Sequence, residues 1–414
     1  MATGVAGRAS GPFIAAYWIA QCGNWLGLIT PVTLTIAIRL AEIADPARKM
    51  SQLGLVLGVG ALASIIATPI WGHISDHTSA RIGRRKLWMI VGVAGGGAGL
   101  LLMSATHDIT LFGLGWVIAQ IGFNANQAAL NALLPDKVPE AQRGRVSGLL
   151  GLTIIVAVVL GTFLTQFTAD NAYLLFLAPW LGTVLSLAMI LPMFQDSPAP
   201  AFSETAAGIG RFLLSFRVDP REHPDFYWAW LSRFLVVMGI AYLQAYSVYF
   251  LSDRLKQPMS EVPRLIFING SIGAVITLVI SPAAGWLSDR MGRRKPFVFV
   301  AAVIGAAGLV ATGMAQSVIQ FLIGSAIAGI GISVYYAVDL ALVAAVLPDP
   351  DSSAKDMGIF QIANTLPQSL APVIAPAFLV IGGVPGGNYP AVFIAASAFA
   401  LLGAVAIMPI KKIP

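Results

Sequence analysis

Two ionisable side chains lie inside long apolar runs of this sequence, where a charge is costly and usually serves a function. Arg233 lies in the segment WAWLSRFLVVMG, eight residues after Asp225, and Asp339 lies in YYAVDLALVAAVLPD, eight residues before Leu347. In α-helices, both positions would be about 12 Å from the ends of their runs. Opposite charges at one depth predict that the two side chains are partners.

This pair could bind and release a proton. Contact with Arg233 would hold Asp339 as a carboxylate, whereas separation would leave a desolvated carboxyl group that favours its protonated form. Proton coupling requires a carboxyl group whose proton affinity depends on conformation, and we therefore predict that Asp339 and Arg233 form the coupling pair. A fixed salt bridge that only positions two helices is an alternative, and so is the absence of any contact.

Neutral amides and aromatic side chains recur within the apolar runs. Amides both donate and accept hydrogen bonds, and aromatic rings stack on the apolar faces of sugars, so the set is suited to a polyhydroxylated ligand. Helix–helix hydrogen bonding within the membrane is the competing interpretation for each amide. The predicted substrate-binding residues are Gln21, Asn24, Trp25, Asn124, Asn126, Gln127, Tyr242, Tyr246, Tyr336, Gln361 and Asn364.

Other chemistries lack the residues they need. The chain has one cysteine, Cys22, and it has no Walker signature, metal-ligand cluster or catalytic triad. The glycine-rich run GVAGGGAGLLL has no lysine partner and predicts a close helix contact instead. We therefore expect neither an enzyme nor a metal site, and no cofactor beyond a coupling ion, for which a proton is the first candidate.

The composition places these residues in a polytopic membrane protein. Apolar residues make up 57% of the 414 positions and charged residues only 11%, against about a quarter in a soluble protein. One helical span needs about 20 apolar residues. The sequence contains twelve such runs, at 12–38, 51–71, 88–105, 109–134, 146–168, 171–195, 225–251, 262–284, 297–315, 318–347, 357–380 and 390–410.

The chain repeats itself after 213 residues. GHISDHTSARIGRRK at 72–86 corresponds to GWLSDRMGRRK at 285–295, and Leu134-Pro135-Asp136 corresponds to Leu347-Pro348-Asp349. We therefore predict an N-terminal six-helix bundle at 1–195, a connector at 196–224 and a C-terminal six-helix bundle at 225–414. Part of the connector, GIGRFLLSFRV, has the composition of a short interfacial helix or of a plain linker.

Lysine and arginine predict the orientation. One side of the twelve predicted spans carries 18 of them and the other side six, and the richer side includes both basic loops, the connector and both termini. The termini are therefore expected in the cytoplasm. Basic residues confined to short loops indicate topology signals rather than a nucleic-acid surface.

The two basic loops have the residues of a latch that could hold the two bundles together in one state and release them in the other. Glycine allows close helix contact, aspartate can accept hydrogen bonds at a helix N-terminus, and the arginines can pair with acids. Simple positive-inside anchoring is the alternative. The predicted cytoplasmic gate comprises Gly72, Asp76, Arg81, Gly83, Arg84 and Arg85 in the first copy, and Gly285, Asp289, Arg290, Gly292, Arg293 and Arg294 in the second.

These loops resemble the signature of the major facilitator superfamily, Gly-x-x-x-Asp-Arg-x-Gly-Arg-Arg/Lys. The second copy matches it fully, whereas the first has His77 in place of the first arginine and four inserted residues. That longer form, with ATPIWGHISD and QCGNWLGLITP, resembles the sucrose-transporter and glycoside–cation symporter branch. The branch also has an arginine in its fourth helix, where this chain has Asn131.

The resemblance implies two six-helix bundles, with the first and fourth helices of each half along the transport route. It implies a monomeric secondary transporter in the plasma or inner membrane, with a small-molecule substrate and the lipid bilayer as its partners. We expect a sugar or glycoside imported with protons by alternating access. An efflux pump for drugs or amphipathic metabolites is the alternative.

Overall fold

The computed structural model describes residues 9–46, 48–196, 223–346, 353–384 and 386–411, and the regular elements in these ranges are helices. The predicted all-α architecture of twelve helices is therefore confirmed. The helices are α1 Gly11–Ile43, α2 Lys49–Asp76, α3 Arg84–Ala105, α4 Ile109–Lys137, α5 Glu140–Thr168, α6 Ala172–Met193, α7 Pro224–Arg254, α8 Val262–Met291, α9 Lys295–Gly313, α10 Val318–Val346, α11 Ser353–Leu379 and α12 Tyr389–Ala406.

Ten of these helices are long and apolar enough to cross a membrane; α4 and α11 are not among them. The amides of α4 (Gln120, Asn124, Asn126, Gln127 and Asn131) lower its hydropathy. The chain is thus a multi-pass membrane protein. Helices suit this environment because each satisfies its own backbone hydrogen bonds where no water is present.

Contacts divide the chain into two compact units. The first comprises Met1–Gln52 and Val59–Ile209, and the second comprises Leu53–Gly58 and Gly210–Pro414. Each unit has its own apolar core, such as that around Tyr17 and Leu133 in the first and that around Phe226 and Tyr335 in the second. Residues 197–222 of the predicted connector, including GIGRFLLSFRV, lie outside the described residues.

Several helices extend beyond the predicted apolar runs, and the boundaries predicted for them were wrong. Helix α2 continues to Asp76 and α8 to Met291, while α3 begins at Arg84, so the two basic loops shrink to 77–83 and 292–294. An apolar run marks only the part of a helix inside hydrocarbon, whereas polar residues can continue the same backbone ladder into the interface.

Side chains near the chain reversals define some of the helix starts. Ser10, Asp108, Asn171 and Asn388 each accept a hydrogen bond from a backbone N–H in the first turn of the helix that follows. The first helix of each unit also contains a π-helical turn, at Pro31–Thr35 in α1 and Phe250–Arg254 in α7. In α1, Pro31 begins the π-helical turn, and it lacks the N–H that a regular α-helix would use there.

Glycines let α3 and α4 pack backbone to backbone, as the glycine-rich run predicts. Gly92, Gly96 and Gly99 of α3 face the segment of α4 from Gly115 to Phe123, and an added Cβ on any of them would overlap it. The second unit repeats this arrangement, because a Cβ on Gly308 of α9 would overlap the backbone of Ala328 in α10. Close approach of this kind replaces the hydrophobic driving force that helices lack in lipid.

We predict that Gly122→Ala destabilises the first unit, whereas Gly95→Ala does not. A Cβ on Gly122 would overlap the backbone of Gly96, but a Cβ on Gly95 would meet its nearest neighbour at 3.6 Å, an ordinary contact. Overpacking of this kind costs about 1–3 kcal/mol. Thermal unfolding of the two purified variants in lipid nanodiscs tests the difference, and equal melting temperatures would contradict the close contact.

Candidate functional site

The second unit contains a buried ion pair between α7 and α10. Arg233 Nη1 lies 2.9 Å from Asp339 Oδ2, and the two side chains are only 7% and 4% exposed. The contact predicted from their equal depths is therefore present. Both charges are removed from solvent, so each depends on the other for compensation.

Arg233 has further contacts on α11. Its Nε donates a hydrogen bond of 2.9 Å to Asn364 Oδ1, and its guanidinium carbon lies 4.9 Å from the centre of the Phe360 ring. Tyr335, on the same helix as Asp339, is within hydrogen-bonding reach of that carboxylate. The guanidinium is thus shared between a carboxylate on α10 and a neutral cradle on α11.

In the first unit, five amide side chains of α1 and α4 form one hydrogen-bonded network. Gln127 Nε2 donates to Gln21 Oε1 at 2.9 Å and to Asn131 Oδ1 at 2.8 Å, and Gln21 Nε2 also donates to Asn131 Oδ1. Asn24 Nδ2 donates to Gln127 Oε1 at 2.6 Å, and Asn126 Nδ2 donates to Asn24 Oδ1 at 2.7 Å. We call these residues the amide network.

The amide network brings together four of the predicted substrate residues and adds Asn131. Among its atoms in the described chain, Asn126 Oδ1 is buried without a hydrogen-bond partner. It therefore offers one acceptor to an incoming donor. A hydroxyl group, which both donates and accepts, could enter such a network without leaving an amide unpaired.

Asn124 belongs to a separate polar cluster between α2 and α4. Its Oδ1 accepts hydrogen bonds from Ser64 Oγ at 3.1 Å and Thr68 Oγ1 at 2.9 Å, and its Nδ2 donates to Gln120. The structure thus does not join Asn124 to the amide network. Its partners make it a link between two helices of the first unit.

The remaining predicted substrate residues are dispersed. Trp25 packs on the apolar cluster around Cys22, and Tyr242 stacks on Phe399 with ring centres 6.0 Å apart. Tyr246 donates to Pro372 O at 2.8 Å. Tyr336 is 38% exposed, and the side chain of Gln361 lies outside the described residues.

The first basic loop draws three helix ends together around Arg85. This buried guanidinium lies 2.7 Å from Asp76 at the end of α2 and 3.0 Å from Asp136 near the end of α4, and it donates to Ser75 Oγ at 2.8 Å. Arg84 also pairs with Asp136, at 3.1 Å. These contacts lie within one unit, where they brace the end of its helix bundle.

Gly83 and Asp196 complete the turn into α3. The Asp196 carboxylate accepts hydrogen bonds from Arg85 N at 2.7 Å and Lys86 N at 2.8 Å, where a helix N-terminus favours an anion. Gly83 has φ of +105°, and a Cβ on it would overlap this carboxylate. Glycine is therefore required here, whereas Gly72 and Gly285 have no neighbour closer than 4.0 Å and do not mark the close helix contacts predicted for them.

The second basic loop has a different environment. Asp289, Arg290 and Arg293 are exposed, and Arg290 lies over the Trp286 ring at 5.4 Å. Gly292 ends α8 in the left-handed conformation, and Arg294 precedes the first residue of α9. Asp349, the counterpart of Asp136, lies outside the described residues.

Sequence reasoning gave no role to several of these partners. Asp136 was recognisable, since the triplet that contains it recurs in the second half, but nothing in the spacing linked it to Arg85. Arg39, one of the six lysines and arginines on the less basic side, is buried in α1 and donates to Thr106 O at 3.2 Å. The sequence gives no indication that Phe360 contacts Arg233, other than its position one helical turn from Asn364.

We predict that Arg85→Met lowers the stability of the first unit by about 2 kcal/mol, because it removes the buried guanidinium that joins Asp76, Asp136 and Ser75, while Arg84 still pairs with Asp136. Arg81→Met is the matched control, since Arg81 belongs to the same loop and is exposed. Thermal unfolding of both purified variants measures the effect. If both substitutions were equally harmless, the basic residues would serve only as topology signals.

Comparison with known proteins fits this architecture. The sequence profile described as "Major Facilitator Superfamily" matches residues 13–281 and 263–414. The chain is 23% identical over 282 residues to the multidrug resistance protein MdtG of Yersinia enterocolitica and 25% identical over 285 residues to that of Salmonella typhimurium. Each match covers 66% of this chain, and 64% and 66% of the respective relatives, just under two thirds of their length.

Two solved structures share the fold over nearly their whole length. A mutant of the nucleoside transporter NupG is 11% identical, with a TM-score of 0.76 and coverage of 96% of this chain and 99% of its own. The D-xylose-proton symporter is 16% identical, with a TM-score of 0.75 and coverage of 98% of both chains. The profile match, which spans both units, shows that this chain belongs to the Major Facilitator Superfamily, a family of transporters and not of enzymes.

Proposed function

We propose that this transporter moves a small hydroxylated solute, such as a sugar or glycoside, together with protons. The observation that carries this proposal is the buried pair of Arg233 and Asp339, whose atoms lie 2.9 Å apart. An ionisable pair inside a membrane protein is expensive to maintain and marks ion or proton pathways.

A carboxylate in this position can couple a proton to a conformational change. While Arg233 is in contact, the carboxylate of Asp339 is stabilised. When the contact opens, burial favours the protonated form, so proton binding and opening promote one another. A cycle in which the solute is carried only by the protonated state would then use the proton gradient for accumulation.

The amide network supports a neutral, hydroxylated solute. Its side chains are uncharged, and they pair with one another in this structure. Hydroxyl groups can substitute for these mutual contacts one by one, whereas an apolar solute would strand buried donors and acceptors at about 1–3 kcal/mol each. The transporter would therefore discriminate among solutes through hydrogen bonds, which are made by Gln21, Asn24, Asn126 and Gln127.

Proton-coupled drug efflux is the second candidate, and the similarity to the MdtG proteins favours it. In both readings we place the protein in the plasma or inner membrane as a monomer with cytoplasmic termini.

We predict that Asp339→Asn abolishes solute accumulation driven by a pH gradient while exchange without a gradient continues. Asparagine keeps the shape of the side chain but cannot take up a proton. Uptake and counterflow of radiolabelled D-xylose in proteoliposomes measure the two activities, and we expect driven accumulation to fall at least tenfold. Asp170→Asn, at an exposed aspartate between α5 and α6, is the control. Accumulation that persists with unchanged pH dependence would remove Asp339 from coupling.

We predict that the purified protein exchanges hydroxylated solutes and not cationic dyes. Counterflow with D-xylose, uridine and ethidium in one proteoliposome preparation compares the candidate classes directly. Gln127→Leu should reduce exchange of the hydroxylated solute mainly through a higher KM, because it removes three hydrogen bonds of the amide network. Ethidium exchange without exchange of either hydroxylated solute would establish the efflux alternative instead.

A further inference from the structure

We infer that Asn364 and Phe360 of α11 form a second, uncharged binding site for the Arg233 guanidinium, which holds this cation when Asp339 is protonated and thereby sets the proton affinity of Asp339. The inference rests on the proposed function, because it assigns regulation of the same coupling carboxyl group. Both residues are positioning residues: they act on Asp339 through Arg233. This role of Asn364 replaces the substrate contact that the sequence predicts for it.

The contacts of Arg233 support a second binding site for its guanidinium. The Nε atom of Arg233 donates to Asn364 Oδ1 with regular hydrogen-bond geometry at 2.9 Å. The Nη1 atom is equally close to Asp339 Oδ2, at 2.9 Å, yet Oδ2 has no regular hydrogen-bond partner among the described residues. One guanidinium therefore contacts both partners at once, through two different nitrogen atoms, so the amide still holds it when the carboxylate is protonated.

Phe360 stabilises the same orientation. The guanidinium carbon lies 4.9 Å from the centre of its ring, within the range of a cation–π interaction, and Phe360 itself is buried. Such contacts contribute about 2 kcal/mol when they are desolvated. The amide oxygen and the ring face thus form a cradle on one helix for a cation carried by another.

A cradle without its own charge solves a specific problem of proton coupling. If Asp339 were the sole partner, its protonation would strand the Arg233 charge in an apolar interior, at a cost of about 3–5 kcal/mol. The carboxyl group would then stay ionised throughout the cycle. An amide and an aromatic ring can hold the guanidinium when Asp339 is protonated, and neither takes up a proton itself.

The remaining groups near Asp339 are consistent with this role. On its own helix, Tyr335 reaches the carboxylate and Tyr336 is near the pair, while α7 contributes Arg233. From the described side chains of α11, the pair receives the neutral Asn364 and Phe360. Arg233 is therefore the one cation that acts on the carboxylate within this described set, and its division between two sites controls the protonation of Asp339.

The test is a pH titration of the Asp339 carboxyl group in the full-length protein, reconstituted in lipid. Infrared difference spectroscopy records the carbonyl stretch of a protonated carboxyl group, and Asp339→Asn identifies the Asp339 band by removing it. Asn364→Leu deletes the acceptor that holds Arg233 when Asp339 is protonated, so the ionised form of Asp339 becomes relatively more stable. We expect the titration midpoint to move to lower pH by about one unit, a tenfold weaker proton affinity.

A substitution with the opposite expected shift of the titration midpoint distinguishes an effect of the second binding site from a simple loss of structure. Asn364→Asp keeps the size of the side chain, draws Arg233 away and adds a like charge, so we expect the midpoint to move to higher pH. Phe360→Leu should follow Asn364→Leu with a smaller shift. Gln368→Leu is the matched control: Gln368 is an exposed amide one turn further along α11, and its Nε2 donates to the backbone carbonyl of Asn364.

Each outcome decides a separate point. Shifts of opposite sign for Asn364→Leu and Asn364→Asp, with none for Gln368→Leu, support the cradle. An unchanged midpoint in the Asn364 variants, or an upward shift in Asn364→Leu, would overturn it while leaving proton coupling intact. If the unmodified protein showed no titrating band that Asp339→Asn removes, the proposed coupling function itself would fail. Size-exclusion profiles confirm that each variant is folded.

Discussion

The structure depends on one constraint, that polar groups inside a membrane must find their partners within the protein. It explains why the chain is helical, why glycines bring helices into backbone contact, and why the amides of α1 and α4 bond to one another. It also explains why Arg233 and Asp339 lie together: an isolated charge at either position would cost far more than any single contact could return.

The two halves meet this constraint with the same frame and different chemistry. In both units, glycines pack the third helix against the fourth, at Gly122 in the first and Gly308 in the second. The sequence repeat aligns Asn126 with Asp339, so the two residues occupy equivalent positions in α4 and α10. Asn126 bonds to an amide of the first helix of its unit, whereas Asp339 pairs with a cation there. Duplication therefore preserved the polar contact between first and fourth helices while its charge state diverged.

The sequence was sufficient for features that follow from composition and periodicity. The number and order of helices follow from the apolar runs, and the repeat follows from matching segments 213 residues apart. The close-packing face of α3 follows from its glycine-rich run, and the contact between Arg233 and Asp339 follows from their equal depths. Helix ends did not, because hydropathy detects hydrocarbon and not the backbone ladder. The partners of Arg85 and of Arg233 on other helices also could not be predicted, since helical rotation about each axis is not encoded in spacing. Asn364 shows this limit: its amide suited a solute as well as a guanidinium, and only the packing of α7 against α11 distinguishes them.

The division of labour between the two polar centres follows from their energies. Exchanging one partner in the amide network costs about 1 kcal/mol, because a hydroxyl can replace an amide with little net change. Opening the ion pair without a substitute costs several times more. A neutral network is therefore suited to admitting and releasing a solute, whereas the charge pair can bias the conformational equilibrium strongly enough to use a gradient. To bias the equilibrium in this way, the ion pair must open at one point in the cycle at a low free-energy cost. A proton on Asp339 lowers that cost, provided that the guanidinium is held on α11.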